Sequence, residues 1–277
     1  YNFVQYEVDE KTGRLDMDQV RAVAKKEKPK MIVAGYSAYP REIDWQAFKD
    51  IADEVGAFTF ADIAHTAGLI AAGEMNNPCP FFDVVSTTTH KTLRGPRGAM
   101  IMCQEEFAPK VDKAVFPGMQ GGPHDHITAA KAVAFKEAMS DDFKAYAKPT
   151  IINAQTLAQE LMTKGYTLVS DGTDNHLMVV DLSAKNLVGK EAETVLEYIG
   201  ISISRSTIPN DPNPPYNPSG IRIGTPAVTT RGMKEEEMKR IATWIDAALI
   251  NNDKPEYLEN IKKEVKDMCL EFPIPSV

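Results

Sequence analysis

Cysteine is scarce, with three residues in 277, at positions 79, 103 and 269. They are odd in number, far apart, and form neither a CxxC nor a metal-ligand spacing. A disulfide scaffold and a zinc ribbon are therefore excluded, and reduced buried thiols in a reducing compartment, the cytoplasm, are expected. Long apolar runs are missing too. None approaches the roughly 18–20 residues that span a bilayer, so no membrane partner is expected. The first residues, YNFVQYEVDE, lack a basic region followed by an apolar core, so they are not expected to be a signal peptide. They also lack an initiator Met and start as though inside a strand, so the chain reads as part of something longer. Positive charge is in deficit: 31 Lys and Arg against 39 Asp and Glu give a net charge of -8. That balance argues against nucleic acid or an anionic membrane, and leaves room for a small anionic ligand in a local basic pocket. No internal repeat or low-complexity tract is visible.

What is present is the composition of a globular protein, 43% hydrophobic and 25% charged. The length suffices for a sizeable core and, at roughly 150 residues per domain, for two domains. The first half alternates helical and strand patterns. Val20, Val23 and Ala24 share a helical face over 16–27. Met31 to Ala34 is a short apolar run ending at Gly35. Residues 44–55 give the clearest helix, with Asp44 as its cap, the stripe Trp45, Phe48, Ile51, Ala52, Val55, and Gly56 at its end. Further strands are expected at 57–61, 83–86 and 98–103. This alternation predicts βαβ units and a mostly parallel sheet. From about residue 145 the pattern changes. A helix at 151–164, strands near 166–170 and 176–182 and a helix at 189–199 come first. A loop rich in Pro and Asn (208–219), a strand at 220–224 and helices at 231–249 and 255–269 follow. The expected organisation is an α/β domain over 1–145 and a smaller C-terminal α+β domain over 146–277.

In open α/β sheets ligands bind beyond the carboxyl ends of the strands. Ser37, Asp62 and Lys91 each follow an apolar strand candidate by a few residues. Lys91 sits in Ser-Thr-Thr-Thr-His-Lys-Thr-Leu-Arg-Gly-Pro-Arg-Gly (86–98), with His90, Arg94 and Arg97 nearby. Cations and desolvation free a lysine amine for attack on a carbonyl, and hydroxyls with arginines suit a phosphate. Together they suggest a Schiff base to a phosphorylated aldehyde; a Thr-rich turn carrying a solvated lysine is the plain alternative. Asp62 is a carboxylate at a strand end, suited to the pyridine nitrogen of pyridoxal phosphate (PLP), or to capping a following helix. Gly118 to Pro123 can offer backbone N–H groups to an anion or be an ordinary turn. His124 and His126 lack the partners a zinc site needs. Arg222, between Ile221 and Ile223, suits a carboxylate by its planar fork, or an internal salt bridge.

Taken together, VQYEVDEKTGRLD, AGYSAYPREIDW, the 86–98 stretch and SGIRIGTPAVTTRG closely resemble serine hydroxymethyltransferase (glycine hydroxymethyltransferase), a fold-type I PLP-dependent transferase. The resemblance runs through the whole chain, and the lysine stretch is its most specific part. It implies interconversion of serine and glycine, with one-carbon transfer to tetrahydrofolate as co-substrate, in amino-acid and glycine biosynthesis. Lys91 would carry PLP as a Schiff base and Asp62 would pair with the pyridinium nitrogen. Ser37 and His65 would lie beside the phenolic oxygen and the imine. Thr88 and His90 would line the pocket. Arg222 would clamp the amino-acid carboxylate. Gly121 and Gly122 would reach the PLP phosphate of a neighbouring subunit, implying a homodimer or tetramer with shared sites. Pro214, Pro215 and Tyr216 fall where the family contacts folate, in place of the Ser-Pro-Phe more typical of bacteria. The resemblance also implies a preceding segment of a hundred-odd residues that supplies further pocket groups, so this chain alone is expected to be incompetent. A threonine aldolase-like enzyme and a noncatalytic fragment dependent on its N-terminal part are the alternatives.

Overall fold

The computed structural model describes residues 1–275. The chain forms two compact units: Tyr1–Asp9, Leu15–Ser37 and Glu42–Ala147 in the first, Glu10–Arg14, Ala38–Arg41 and the chain from Lys148 onward in the second.

The first unit is built on a four-stranded sheet. Helix α1 (Met17–Glu27) starts at Asp16, whose carboxylate accepts from the Asp18 and Gln19 N–H groups. Strand β1 (Met31–Ala34) leads to α2 (Trp45–Val55), capped by Asp44 through the Ala47 N–H and ended by left-handed Gly56 at φ 70°. Then come β2 (Phe58–Asp62), α3 (Ala67–Ala71), β3 (Val84–Thr88) and β4 (Ala99–Cys103). The short α4 (Ala108–Lys113) and α5 (Asp125–Ala138) complete the unit, together with the start of α6 (Asp141–Thr163). The strand order is β1-β2-β3-β4. β1, β2 and β3 are parallel and β4 is antiparallel to β3. Residues 89–98 alone join β3 to β4, too few for the dozen or more that a parallel crossover takes.

The helical stripe of α2 buries Trp45, Phe48, Ile51 and Ala52, with Trp45 edge-on to Phe82 at 5.4 Å. The sheet's other face behaves differently. The register sets Met31 beside Phe58, Val33 beside Phe60, Phe60 beside Val84 and Ser86 beside Ile101, all on one face. Met31, Val33, Phe58 and Ile101 are exposed there although large and apolar. Parallel strands are normally covered on both faces.

The second unit carries a four-stranded antiparallel sheet in the order β5-β6-β8-β7. Its strands are β5 (Thr167–Leu168), β6 (Leu177–Asp181), β7 (Ser204–Ser206) and β8 (Gly220–Gly224). Helices α7 (Gly189–Tyr198), α8 (Pro226–Thr230), α9 (Glu235–Ile250) and α10 (Pro255–Glu271) join the end of α6 in one core, with Leu161, Met178, Leu196, Ile221, Met238 and Ile245 buried at its centre.

Several elements differ from the sequence reading. The helix expected at 151–164 begins ten residues earlier and runs through Pro149, which removes one intrahelical bond without ending the helix. The helix expected over 231–249 starts at Glu235, because Gly232 at φ +92° separates it from α8. Strand β7 and helix α5 had no clear period: β7 has three residues, and α5 buries only Ala134 and Ala138. The cysteines are free but half-buried, not buried.

Candidate functional site

The carboxyl ends of the three parallel strands stand side by side in the first unit. Ala34 is level with Ala61, and Asp62 with Ser86. Ser37 follows β1 by three residues, Asp62 closes β2, and Thr88 closes β3 ahead of His90 and Lys91. By strand alternation and register, Asp62, Ser86 and Thr88 project from the same face as exposed Met31, Val33 and Phe58. That face is apolar along its length and polar at its carboxyl end.

These ends are locked together by backbone contacts. Gly35 has φ +119°, and a Cβ there would lie 1.9 Å from the Asp62 carbonyl oxygen. Only glycine allows the end of β1 to come this close to Asp62. The loop after β2 is laced to the loop after β3 through Thr92, which is buried. Its hydroxyl donates to the His65 carbonyl at 2.9 Å and accepts from the Gly68 N–H at 3.0 Å. Thr88 Oγ1 reaches the Ala64 carbonyl at 3.5 Å. A Cβ at Gly68 would lie 2.2 Å from the Thr92 carbonyl oxygen. Asp62, His65, Thr88, His90 and Lys91 thus belong to one stitched pair of loops.

Asp62 does not cap a helix. Its Oδ1 accepts from the Ala64 N–H at 2.9 Å, an Asx turn, while α3 starts after Thr66. Lys91 is half-buried, and its ammonium has no hydrogen bond or ion pair among the described residues. His90 Nε2 lies 3.2 Å from an Arg97 nitrogen, and its Nδ1 is buried with no partner among the described residues. Arg94, which the sequence sets near Lys91, lies over the Tyr146 ring at 4.2 Å and the Phe143 ring at 5.6 Å. It adopts a left-handed backbone, φ 59°.

In the second unit Arg222 lies mid-strand in β8, level with Val179 on one side and Ser204 on the other. Its neighbours Ile221 and Ile223 enter the core. Burial lowers the pKa of the Arg222 guanidinium from its ordinary value.

The family model for serine hydroxymethyltransferase matches residues 1–245. The chain belongs to that family. Serine hydroxymethyltransferases are fold-type I PLP enzymes, and the sheet of the first unit, with two of its three pairings parallel, is of that class. The family's chemistry is PLP-dependent transfer of a hydroxymethyl carbon between serine, glycine and tetrahydrofolate. No helix among the described residues is long and apolar enough to cross a membrane.

Two groups expected at the serine hydroxymethyltransferase site are exposed. Gly121 and Gly122 are exposed, and a Cβ at either would meet nothing within 4 Å. Pro214, Pro215 and Tyr216 form an exposed tip of the 208–219 loop in the second unit. Residues that build the site but gave no functional signal in the sequence are Gly35, Gly68 and Thr92. Each acts through a backbone approach between segments some 24–27 residues apart. The one hint was Gly35 at the end of an apolar run.

Proposed function

We propose that this chain carries the cofactor-lysine part of a serine hydroxymethyltransferase, with Lys91 as the residue that holds PLP through its amine. The observation that carries this is the Lys91 ammonium beyond the end of β3, unpartnered among the described residues, while Asp62 closes the adjacent strand. The other groups at the strand ends fit the same cofactor. Among the described residues the Asp62 carboxylate makes one hydrogen bond, through Oδ1, so it has capacity for a ring N–H. The buried, unpartnered Nδ1 of His90 is a polar group awaiting a partner.

When bound, PLP supplies an electron sink for negative charge at the amino-acid α-carbon. The chain's own residues bind and orient. Asp62 would hold the ring nitrogen protonated by accepting its hydrogen bond. Ser37 and His65 would face the phenolic oxygen and the reacting nitrogen, and Thr88 and His90 would line the pocket. Arg222 would grip the carboxylate of serine or glycine with its two-pronged donor edge. Its partial burial strengthens that grip, since a guanidinium out of water interacts more strongly with an anion. Gly121 and Gly122, open and exposed, would serve the phosphate of a neighbouring subunit in a homodimer or tetramer. The first unit would be the PLP-binding domain and the second the small domain. The cytoplasm is the proposed location.

A second reading is favoured by the exposed row Met31, Val33, Phe58 and Ile101. A chain with this face open would turn over poorly until something covers it. The test of the first reading is borohydride reduction of the full chain incubated with PLP, followed by peptide mapping. A stable label on Lys91 is expected; label on another lysine refutes the assignment. Cleavage of serine and of threonine, each with and without tetrahydrofolate, separates hydroxymethyl transfer from an aldolase-like activity. It also reads whether the chain alone is competent.

A further inference from the structure

The loop between β7 and β8 combines two properties that rarely coincide. It is exposed along much of its length, with Pro209, Asn210, Pro212, Pro214, Pro215 and Tyr216 all open to solvent. Exposed loops of this kind are ordinarily the mobile parts of a fold. Yet this one is tied down. Asp211 stands at its centre and takes four hydrogen bonds from the loop itself. Its Oδ2 accepts from the Ile208 N–H at 3.2 Å and the Ser219 N–H at 2.9 Å. Its Oδ1 accepts from the Asn213 N–H at 2.9 Å and the Ser219 hydroxyl at 2.6 Å. The Asn213 side-chain amide donates to the same hydroxyl at 2.9 Å. Ser219 is buried, and its carbonyl accepts from the Leu182 N–H at 3.0 Å, so the loop's far foot is fixed to the second unit's core.

The tip has a separate tie. Arg205, on β7, donates from Nη1 to the Tyr216 carbonyl at 2.8 Å, and its Nε pairs with Glu193 of α7 at 2.8 Å. One planar guanidinium therefore joins the tip to a helix, in a geometry that a lysine's single point charge does not reproduce. What these bonds hold in place is not core packing. It is the exposed ring of Tyr216, 76% accessible, on a backbone stiffened by two preceding prolines. Rigidity spent on an exposed aromatic lowers the ordering cost of binding something to it.

We propose that Asp211 and the Glu193–Arg205 pair are positioning residues that keep the Pro214–Tyr216 tip preformed as a platform for the ring portion of the folate co-substrate. The proposal rests on the reading that this tip meets folate.

The test uses the full chain and a graded series: Asp211→Asn, which keeps one acceptor oxygen, Asp211→Ala, Arg205→Lys and Arg205→Gln. Two readouts are taken, chymotrypsin cleavage after Tyr216 located by mass spectrometry and tetrahydrofolate affinity by equilibrium dialysis, with a thermal melt as the check on global folding. Expected are faster cleavage and about tenfold weaker affinity in Asp211→Ala and Arg205→Gln, a smaller loss in Asp211→Asn and partial rescue in Arg205→Lys, all with the melt little changed. Should Asp211→Ala fail to fold, the exposed Arg205→Gln carries the test alone. Faster cleavage with unchanged affinity, or a parent chain that does not bind tetrahydrofolate, overturns the folate reading while the rigid loop stands. Unchanged cleavage, whatever the affinity does, overturns the positioning role.

Discussion

Alanine at Gly35 perturbs the closest backbone approach at the proposed site. Gly35 holds φ +119°, and the added Cβ would lie 1.9 Å from the Asp62 carbonyl oxygen, 2.7 Å from its carbon and 2.8 Å from the Asp62 nitrogen. Carbon–oxygen contacts ordinarily stop near 3.3 Å, so the two strand ends must separate by about 1.4 Å. All three atoms are backbone, so no side chain can swing aside. The strained φ costs about 1–3 kcal/mol and the forced shift about 1–3 kcal/mol more. Gly56→Ala is the control: it has φ +70° but nothing within 4 Å of its Cβ, so it bears the conformational cost alone. Gly35→Ala should therefore melt about 2–12 °C below Gly56→Ala. The displacement also exceeds the roughly 1 Å that can cost a hundredfold in rate, so borohydride-fixed PLP on Lys91 should fall in Gly35→Ala and not in Gly56→Ala. Equal melting points and equal labelling in the two variants would falsify the claim that the Gly35–Asp62 approach sets the site.

Thr92→Val removes the hydroxyl that serves the His65 carbonyl and the Gly68 N–H. Two backbone groups lose their partner, and a loss of about 2–4 kcal/mol in urea unfolding is expected; a change under 1 kcal/mol would show that water replaces the hydroxyl. Asp62→Asn should keep PLP but lose most turnover, because an amide does not hold the ring nitrogen protonated; near-normal activity places the ring's partner elsewhere. Arg222→Lys should weaken serine and glycine binding while leaving PLP on Lys91, and an unchanged KM for serine refutes the clamp. For Asp211, burial acts to raise its pKa, but the bonds from Ser219, Asn213 and Ile208 outweigh it and hold the carboxyl below its ordinary value. Its contribution to the loop is thus present above its unfolded value and is lost as pH falls through the lower folded one. Amide exchange of Asn213 and Ser219 should be slower in the parent than in Asp211→Asn at neutral pH. The two should converge only below about pH 4. Convergence well above that pH removes the carboxylate from the explanation.

Much of this protein is local and could be read along the chain. The α2 stripe of Trp45, Phe48, Ile51 and Ala52 repeats at the helical period, and its caps Asp44 and Gly56 need only their own neighbours, so the helix was legible to within a residue. So were β1, as a short apolar run, and β8, as Ile221 and Ile223 alternating with Arg222 between two glycines. Lys91 stood out because its hydroxyl-rich setting is contiguous. What tertiary structure alone decided involves residues far apart in sequence. The direction of β4 depends on where a ten-residue connection can reach. The continuation of α6 through Pro149 depends on packing outweighing one lost hydrogen bond. The approach of Gly35 to Asp62, the lacing of His65 and Gly68 by Thr92, and the four bonds to Asp211 each join groups whose spacing carries no period. A glycine or threonine in such a place looks like any other until the chain folds, because its role lies in the atoms it meets across space.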